Sequence, residues 1–167
     1  MEYNTHDFEI MSPAGSFESL MAAIQGGAGS VYFGIEGLNM RARSSNNFTT
    51  DDLRRIASIC RDNGVKSYLT VNTVLYDEDM PLMREIIDAA RASGVSAIIA
   101  SDVAAMTYAN SIGQEVHLST QLNISNAEAL KFYARFADVV VLARELNLNQ
   151  VRSICDEIRD RQIKGPA

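Results

Sequence analysis

Cysteine is scarce in this chain, and neither Cys60 nor Cys155 stands at a metal-like spacing from another cysteine or a histidine. Two reduced, packed thiols follow, with no metal or cluster site made by this chain alone. No apolar run approaches the ~20 residues that cross a bilayer, so no membrane partner is expected. The start, Met1-Glu-Tyr-Asn-Thr-His-Asp7, lacks the basic residues and apolar stretch of a signal peptide, and a cytoplasmic location is the expectation. Positive charge is also short: 15 Lys and Arg against 21 Asp and Glu give a formal net charge of -6. That argues against general phosphate-backbone binding, while leaving room for a local basic cluster to touch nucleic acid. No Pro/Gly/Ser-rich linker divides the 167 residues, so residues 1–167 read as one domain. The chain also lacks Gly-x-Gly-x-x-Gly, a Walker loop, His-Glu-x-x-His and Gly-x-Ser-x-Gly. Those absences exclude the commonest dinucleotide, nucleotide, zinc-protease and α/β-hydrolase readings.

What is present is a repeat. Four amphipathic segments end in glycine and run into a short apolar strand, at Gly27, Gly64, Gly94 and Gly113. A helix closed by a left-handed glycine and followed by a buried strand is the unit of a parallel α/β fold. Strands are expected at Phe8 to Met11, Val31 to Phe33, Lys66 to Val71, Ala97 to Ala100, Val116 to Leu118 and Val139 to Leu142. Helices are expected from Ser16 to about Gln25, from Thr50 to Asn63, from the Tyr76–Asp79 turn to Ser93, and from Val103 to about Ser111. A fifth opens on a capping box, Ser125-Asn-Ala-Glu128, and a sixth on Asn147 with Gln150. Ala97-Ile-Ile-Ala100 is apolar on both faces, as a parallel strand covered by helices requires.

Six βα units of about 28 residues each match the ~30 of one repeat, whereas a closed eight-unit barrel needs ~250 residues. The expected fold is therefore an incomplete TIM-barrel-like (β/α) domain, with an open doubly wound parallel sheet as the alternative. The final Ile163-Lys-Gly-Pro-Ala167 reads as a loop cut short, which favours the front part of a larger barrel. An open barrel leaves its first and last strands unpaired, and self-association through those edges is expected.

In parallel α/β folds, polar residues just beyond the carboxyl ends of the strands face the ligand. Here those positions hold Ser12, Asn39, Arg41, Arg43, Asn72, Ser119, Gln121, Asn123 and Arg144, the candidate substrate-binding residues. The loop from Gly34 to Thr50 is far longer than the usual connection of ~2–6 residues, and such length is commonly functional. Arg41 and Arg43, two apart, share a side in an extended stretch and can grip a carboxylate or phosphate, or pair with Glu36 on the surface. His117, Ser119 and Gln121 point one way if their strand continues. A general base beside a hydroxyl is one reading, with Asp102 or Glu145 as the orienting acid. A hydrogen-bonded core histidine is the other. Asp102 also fits as the N-cap of the fourth helix, the stronger single explanation for it. Arg144 and Glu145, adjacent on a strand exit, face opposite ways and do not both enter one pocket unless the backbone turns, so one binds and one supports.

Ser12-Pro-Ala-Gly15, Val31-Tyr-Phe-Gly34 with Asn39-Met-Arg-Ala-Arg43, Asn72-Thr73, Ser119-Thr-Gln-Leu-Asn123 and Leu142-Ala-Arg-Glu-Leu146 occur in that order. Together they resemble the amino-terminal half of the U32 peptidase, or collagenase-like protease, family. The resemblance implies a TIM-barrel-like domain and a later block of Glu, His-Gly and several cysteines that this chain does not contain. It also implies a hydrolase in the full-length parent, a metal-dependent or collagenolytic peptidase whose metal would lie outside this chain, with the chain alone inactive. Other members resemble oxygen-independent hydroxylation factors for RNA bases or quinone precursors, whose iron-sulfur cluster is held by those later cysteines. Cys60 and Cys155 match none of those ligands. Gly29 departs from the family's Gly-Ala-Asp, a change expected at a helix-to-strand turn rather than at the site.

Overall fold

The structure, a computed structural model, describes residues 8–38, 48–160, 163 and 165. Six strands alternate with six helices: β1 Met11–Pro13, α1 Phe17–Gln25, β2 Ser30–Phe33, α2 Leu53–Asp62, β3 Lys66–Val71, α3 Met80–Ser93, β4 Ala97–Ala100, α4 Val103–Ser111, β5 Glu115–Leu118, α5 Ala127–Tyr133, β6 Val139–Val140 and α6 Leu148–Asp160. The strands pair in sequence order, every neighbour parallel. With the helices on one side, the sheet curls into a half-barrel, the incomplete (β/α) barrel anticipated above. Among the described residues β1 pairs only with β2 and β6 only with β5, so both outer edges lack a strand partner.

Alternation along each strand divides the side chains between two faces. Phe33, Leu69, Ile98 and Val116 stand abreast in register and join Leu20, Ile56, Met83, Ile86 and Met106 of the helices in one large core. The opposite, concave face carries a smaller cluster of Tyr68, Ala97 and Ile99, with Tyr32 against it. The turns that close the helices are as the repeat demanded: Gly27, Gly64, Gly94 and Gly113 have φ of 85°, 67°, 80° and 71°. At Gly94 the requirement is in the backbone. Its N–H reaches the carbonyls of Ala90 and Arg91, while an added Cβ would meet nothing nearer than an Arg61 guanidinium nitrogen at 3.6 Å.

Three local expectations are corrected. The first strand lies at Met11–Pro13, later than Phe8 to Met11, because an edge strand tolerates a proline that has no N–H to give. Ser12-Pro13 therefore pairs with Val31-Tyr32, beyond the end expected for this strand. The sixth strand stops after Val140, since the next bond, Val141 N–H to the Leu118 carbonyl, is stretched to 3.4 Å. In the fifth helix Asn126, not Ser125, is the N-cap; its extended backbone lets Oδ1 accept the Ala129 N–H at 2.9 Å.

Candidate functional site

Register continues one residue past the strands and builds a polar rim. Val71, Ala100 and Leu118 are partners, so Asn72, Ser101 and Ser119 follow side by side at the carboxyl ends of β3, β4 and β5. The Ser119 N–H to Ala100 carbonyl bond, 2.8 Å, extends the pairing to this level. Ser119 is buried and caps a single 3₁₀ turn, Thr120–Leu122, its hydroxyl 3.4 Å from Gln121 Oε1. Asn123, at φ 49° and ψ 43°, is the one described non-glycine residue with positive φ, and it closes that turn. Gln121 and Asn123 are exposed above Ser119, and Arg144 and Glu145 form an exposed turn beyond β6. Outside this rim a cavity of about 370 Å³ opens where α5 and α6 begin, lined by Ser125, Asn126, Asn147, Gln150 and Ser153.

The other candidates fall elsewhere. Asn39, Arg41 and Arg43 lie outside the described residues. Ser12 sits within β1 in register with Val31, which belongs to the helix-facing core, rather than beyond the strand end. Asp102 accepts the Ala104 N–H at 2.8 Å and caps α4.

His117 lies on the concave face one level below the rim, in register with Ile99. The carboxylate beside it is neither Asp102 nor Glu145. Glu115, two residues earlier on the same strand, places Oε1 2.7 Å from His117 Nε2. Tyr68 packs edge-on against the imidazole with ring centroids 4.6 Å apart, and its hydroxyl donates to Glu9 Oε1 at 2.6 Å. Glu9 Oε2 meets Lys66 Nζ at 2.7 Å. Burial raises the carboxyl of Glu9, but the bonds from Lys66 and Tyr68 outweigh it and hold the group down at about 2. Burial, and then that carboxylate, push the Tyr68 phenol above its ordinary range. Glu115, Glu9, Lys66 and Tyr68 were not among the sequence candidates. For three of them the signal was the strand period itself, since Glu115-x-His117 and Lys66-x-Tyr68 are same-face pairs, whereas Glu9 precedes β1 and has no such signal.

Among the described residues no group of three or more His, Cys, Asp or Glu could hold a metal ion, and no helix is long and apolar enough to cross a membrane. Of the two thiols expected to be packed only one is, for the cysteines lie on different helices in opposite environments. Cys60 is buried in α2 and burial pushes its thiol up to about 11, whereas Cys155 is exposed on α6. Because the thiolate is the reactive form, a thiol reagent is expected to titrate one cysteine in the native chain and the second only on unfolding. Two equally fast thiols would contradict the packing of α2.

The model of peptidase family U32 matches residues 15–164. A collagenase of Porphyromonas gingivalis is 76% identical over 163 residues, covering 98% of this chain and 39% of that protein. A 23S rRNA 5-hydroxycytidine synthase of Escherichia coli is 33% identical over 155 residues, covering 92% of this chain and 23% of that protein. The chain thus spans well under half the length of these relatives. A solved U32 peptidase superposes with a TM-score of 0.74 at 14% identity, over 94% of this chain and 68% of its own, which shows the shared fold. A family match across nearly the whole sequence, carried by a curled sheet of six parallel strands, establishes that the chain belongs to peptidase family U32.

Proposed function

We propose that this chain forms the substrate-binding part of a U32 peptidase, with a peptide lying across the polar rim of the half-barrel. The observation that carries the reading is the 76% identity to the P. gingivalis collagenase along 98% of the chain. Asn72, Ser119, Gln121 and Asn123 offer the mixed donors and acceptors that a peptide backbone needs, and Arg144 is an exposed cation for a carboxylate. His117 stands beneath as the proton acceptor for an attacking water.

The chain alone is expected to cleave neither gelatin nor a labelled peptide, because the rim it presents is one part of an unfinished barrel. A protein carrying this chain at the length of its relatives is expected to cleave them. Cleavage by the 167-residue chain itself, lost on His117→Ala or Glu145→Ala, would overturn the division of labour.

The E. coli rRNA synthase relative favours a second reading, oxygen-independent hydroxylation of a nucleic-acid base or aromatic precursor by the longer protein. Cys60, buried in α2, and Cys155, exposed on α6, do not fit an iron-sulfur cluster. Anaerobic purification of the longer protein separates the readings: bound iron and sulfide support the second, and a colourless protein that cleaves peptide removes it.

A further inference from the structure

The concave face holds a carboxylate–imidazole pair that the rim does not explain. His117 has a side chain 8% exposed, whereas Glu115, its partner at 2.7 Å, is half exposed at the opposite end of β5 from the rim. Glu115 occupies Nε2, and among the described residues nothing hydrogen-bonds Nδ1. The ring is held a second time by the edge of Tyr68, itself fixed through its hydroxyl to Glu9. Two constraints on one imidazole set both its plane and its tautomer. A carboxylate on one nitrogen draws the proton there and leaves the other nitrogen as the acceptor.

We infer that Glu115 is a positioning residue, which keeps the proton of neutral His117 on Nε2 and presents Nδ1 as the proton acceptor to substrate on the concave face. This rests on the peptidase reading above for its chemistry. In that chemistry a water oxygen bonds to the peptide carbonyl carbon as the carbonyl π pair moves onto oxygen. The O–H bond of that water breaks, its proton goes to Nδ1, and the same proton passes to the departing amine as the C–N bond breaks. The Glu115 carboxylate faces the imidazolium formed between the two transfers, and no other reactant is consumed. Asp102 and Glu145 have no part in it.

The test uses ¹⁵N spectra of the histidine side chains in the 167-residue chain and turnover of a labelled peptide by the protein at its relatives' length. The half-exposed site of Glu115 should tolerate replacement, and Glu115→Gln keeps an oxygen that can accept from Nε2. Neutral His117 is expected in the Nε2–H form in the native chain and in Glu115→Gln, and as a mixture of tautomers in Glu115→Leu. Peptide turnover by Glu115→Leu is expected to fall in kcat on the order of 100-fold with KM unchanged, and Glu115→Gln to recover part of the loss. An Nδ1–H tautomer in the native chain, or a tautomer indifferent to Glu115→Leu, overturns the assignment. Expected tautomers together with no peptide turnover by the longer protein overturn the peptidase reading and leave the positioning role of Glu115 supported.

Discussion

Leu69→Ala is expected to lower the unfolding free energy of this chain by about 3–4 kcal/mol, toward the upper part of the range for buried leucines. Leu69 is fully buried near the middle of β3, flanked in register by Phe33 on β2 and Ile98 on β4. Residues of α2 and α3, among them Ile56, Met83 and Ile86, belong to the same core. The sheet cannot close over the space left by the missing methyls, because its spacing is set by backbone hydrogen bonds on both sides of β3. The helices cannot drop into it without losing packing elsewhere. Against a typical total of about 5–15 kcal/mol, that loss is a large fraction of the stability. In urea the midpoint should fall with the slope unchanged, and Val139→Ala, at an exposed position on the edge strand β6, should shift it far less. A loss at Leu69 under about 1 kcal/mol would mean that the helix layer is not closely packed on the sheet.

Leu69 also shows why much of the fold was legible in the sequence. It lies in Val65-Lys-Ser-Tyr-Leu-Thr-Val71, a segment rich in β-branched and aromatic residues and bounded by Gly64 and Asn72, and the bounds expected for β3, β4 and α4 are the ones observed. Expectations failed where a local rule met a tertiary exception. The first strand was expected to end at Met11, yet β1 runs on to Pro13 because an edge strand tolerates proline, and β6 is shorter than its run of valines because its pairing with β5 frays after two residues.

The site divides in the same way. The rim at Asn72 and Ser119 was readable because every strand of a parallel barrel presents its carboxyl end to one side. The acid beside His117 was misplaced because Asp102 and Glu145 were sought on neighbouring strands, when the partner was two residues away on the same one. The ionic pair below it is a different kind of problem. Glu9 lies 57 residues from Lys66 and 59 from Tyr68, and no spacing in the chain announces that contact.

That contact makes the second large prediction, an acid-dependent loss of stability that Glu9→Gln should abolish. Glu9 precedes β1 and reaches across β2 to Lys66 and Tyr68 on β3, passing over the small, fully buried Ser30. It thereby ties an edge strand to the centre of the sheet. The carboxyl titrates at about 2 in the folded chain against an ordinary 4.5. A depressed folded value means that the unfolded chain binds the proton first as acid is added. The contribution of Glu9 is therefore complete above about pH 4.5 and drains away as pH falls toward 2. At about 1.4 kcal/mol per unit the shift would set an upper bound of about 3.5 kcal/mol. The side chain is 36% exposed, and solvent screening reduces the expected value to about 1–2 kcal/mol. Lys66, held above its ordinary range chiefly by its hydrogen bond to Glu9, works in the opposite direction and is lost only as strongly alkaline pH removes its proton. Urea unfolding of the native chain and Glu9→Gln at pH 7 should differ by that 1–2 kcal/mol, and the two curves should converge between pH 4.5 and 2. Because Gln keeps the oxygen that accepts from Tyr68 and removes only the charge, a gap that persists unchanged into acid would assign the stability to packing of the Glu9 stem. The tie between β1 and β3 would then be steric rather than ionic.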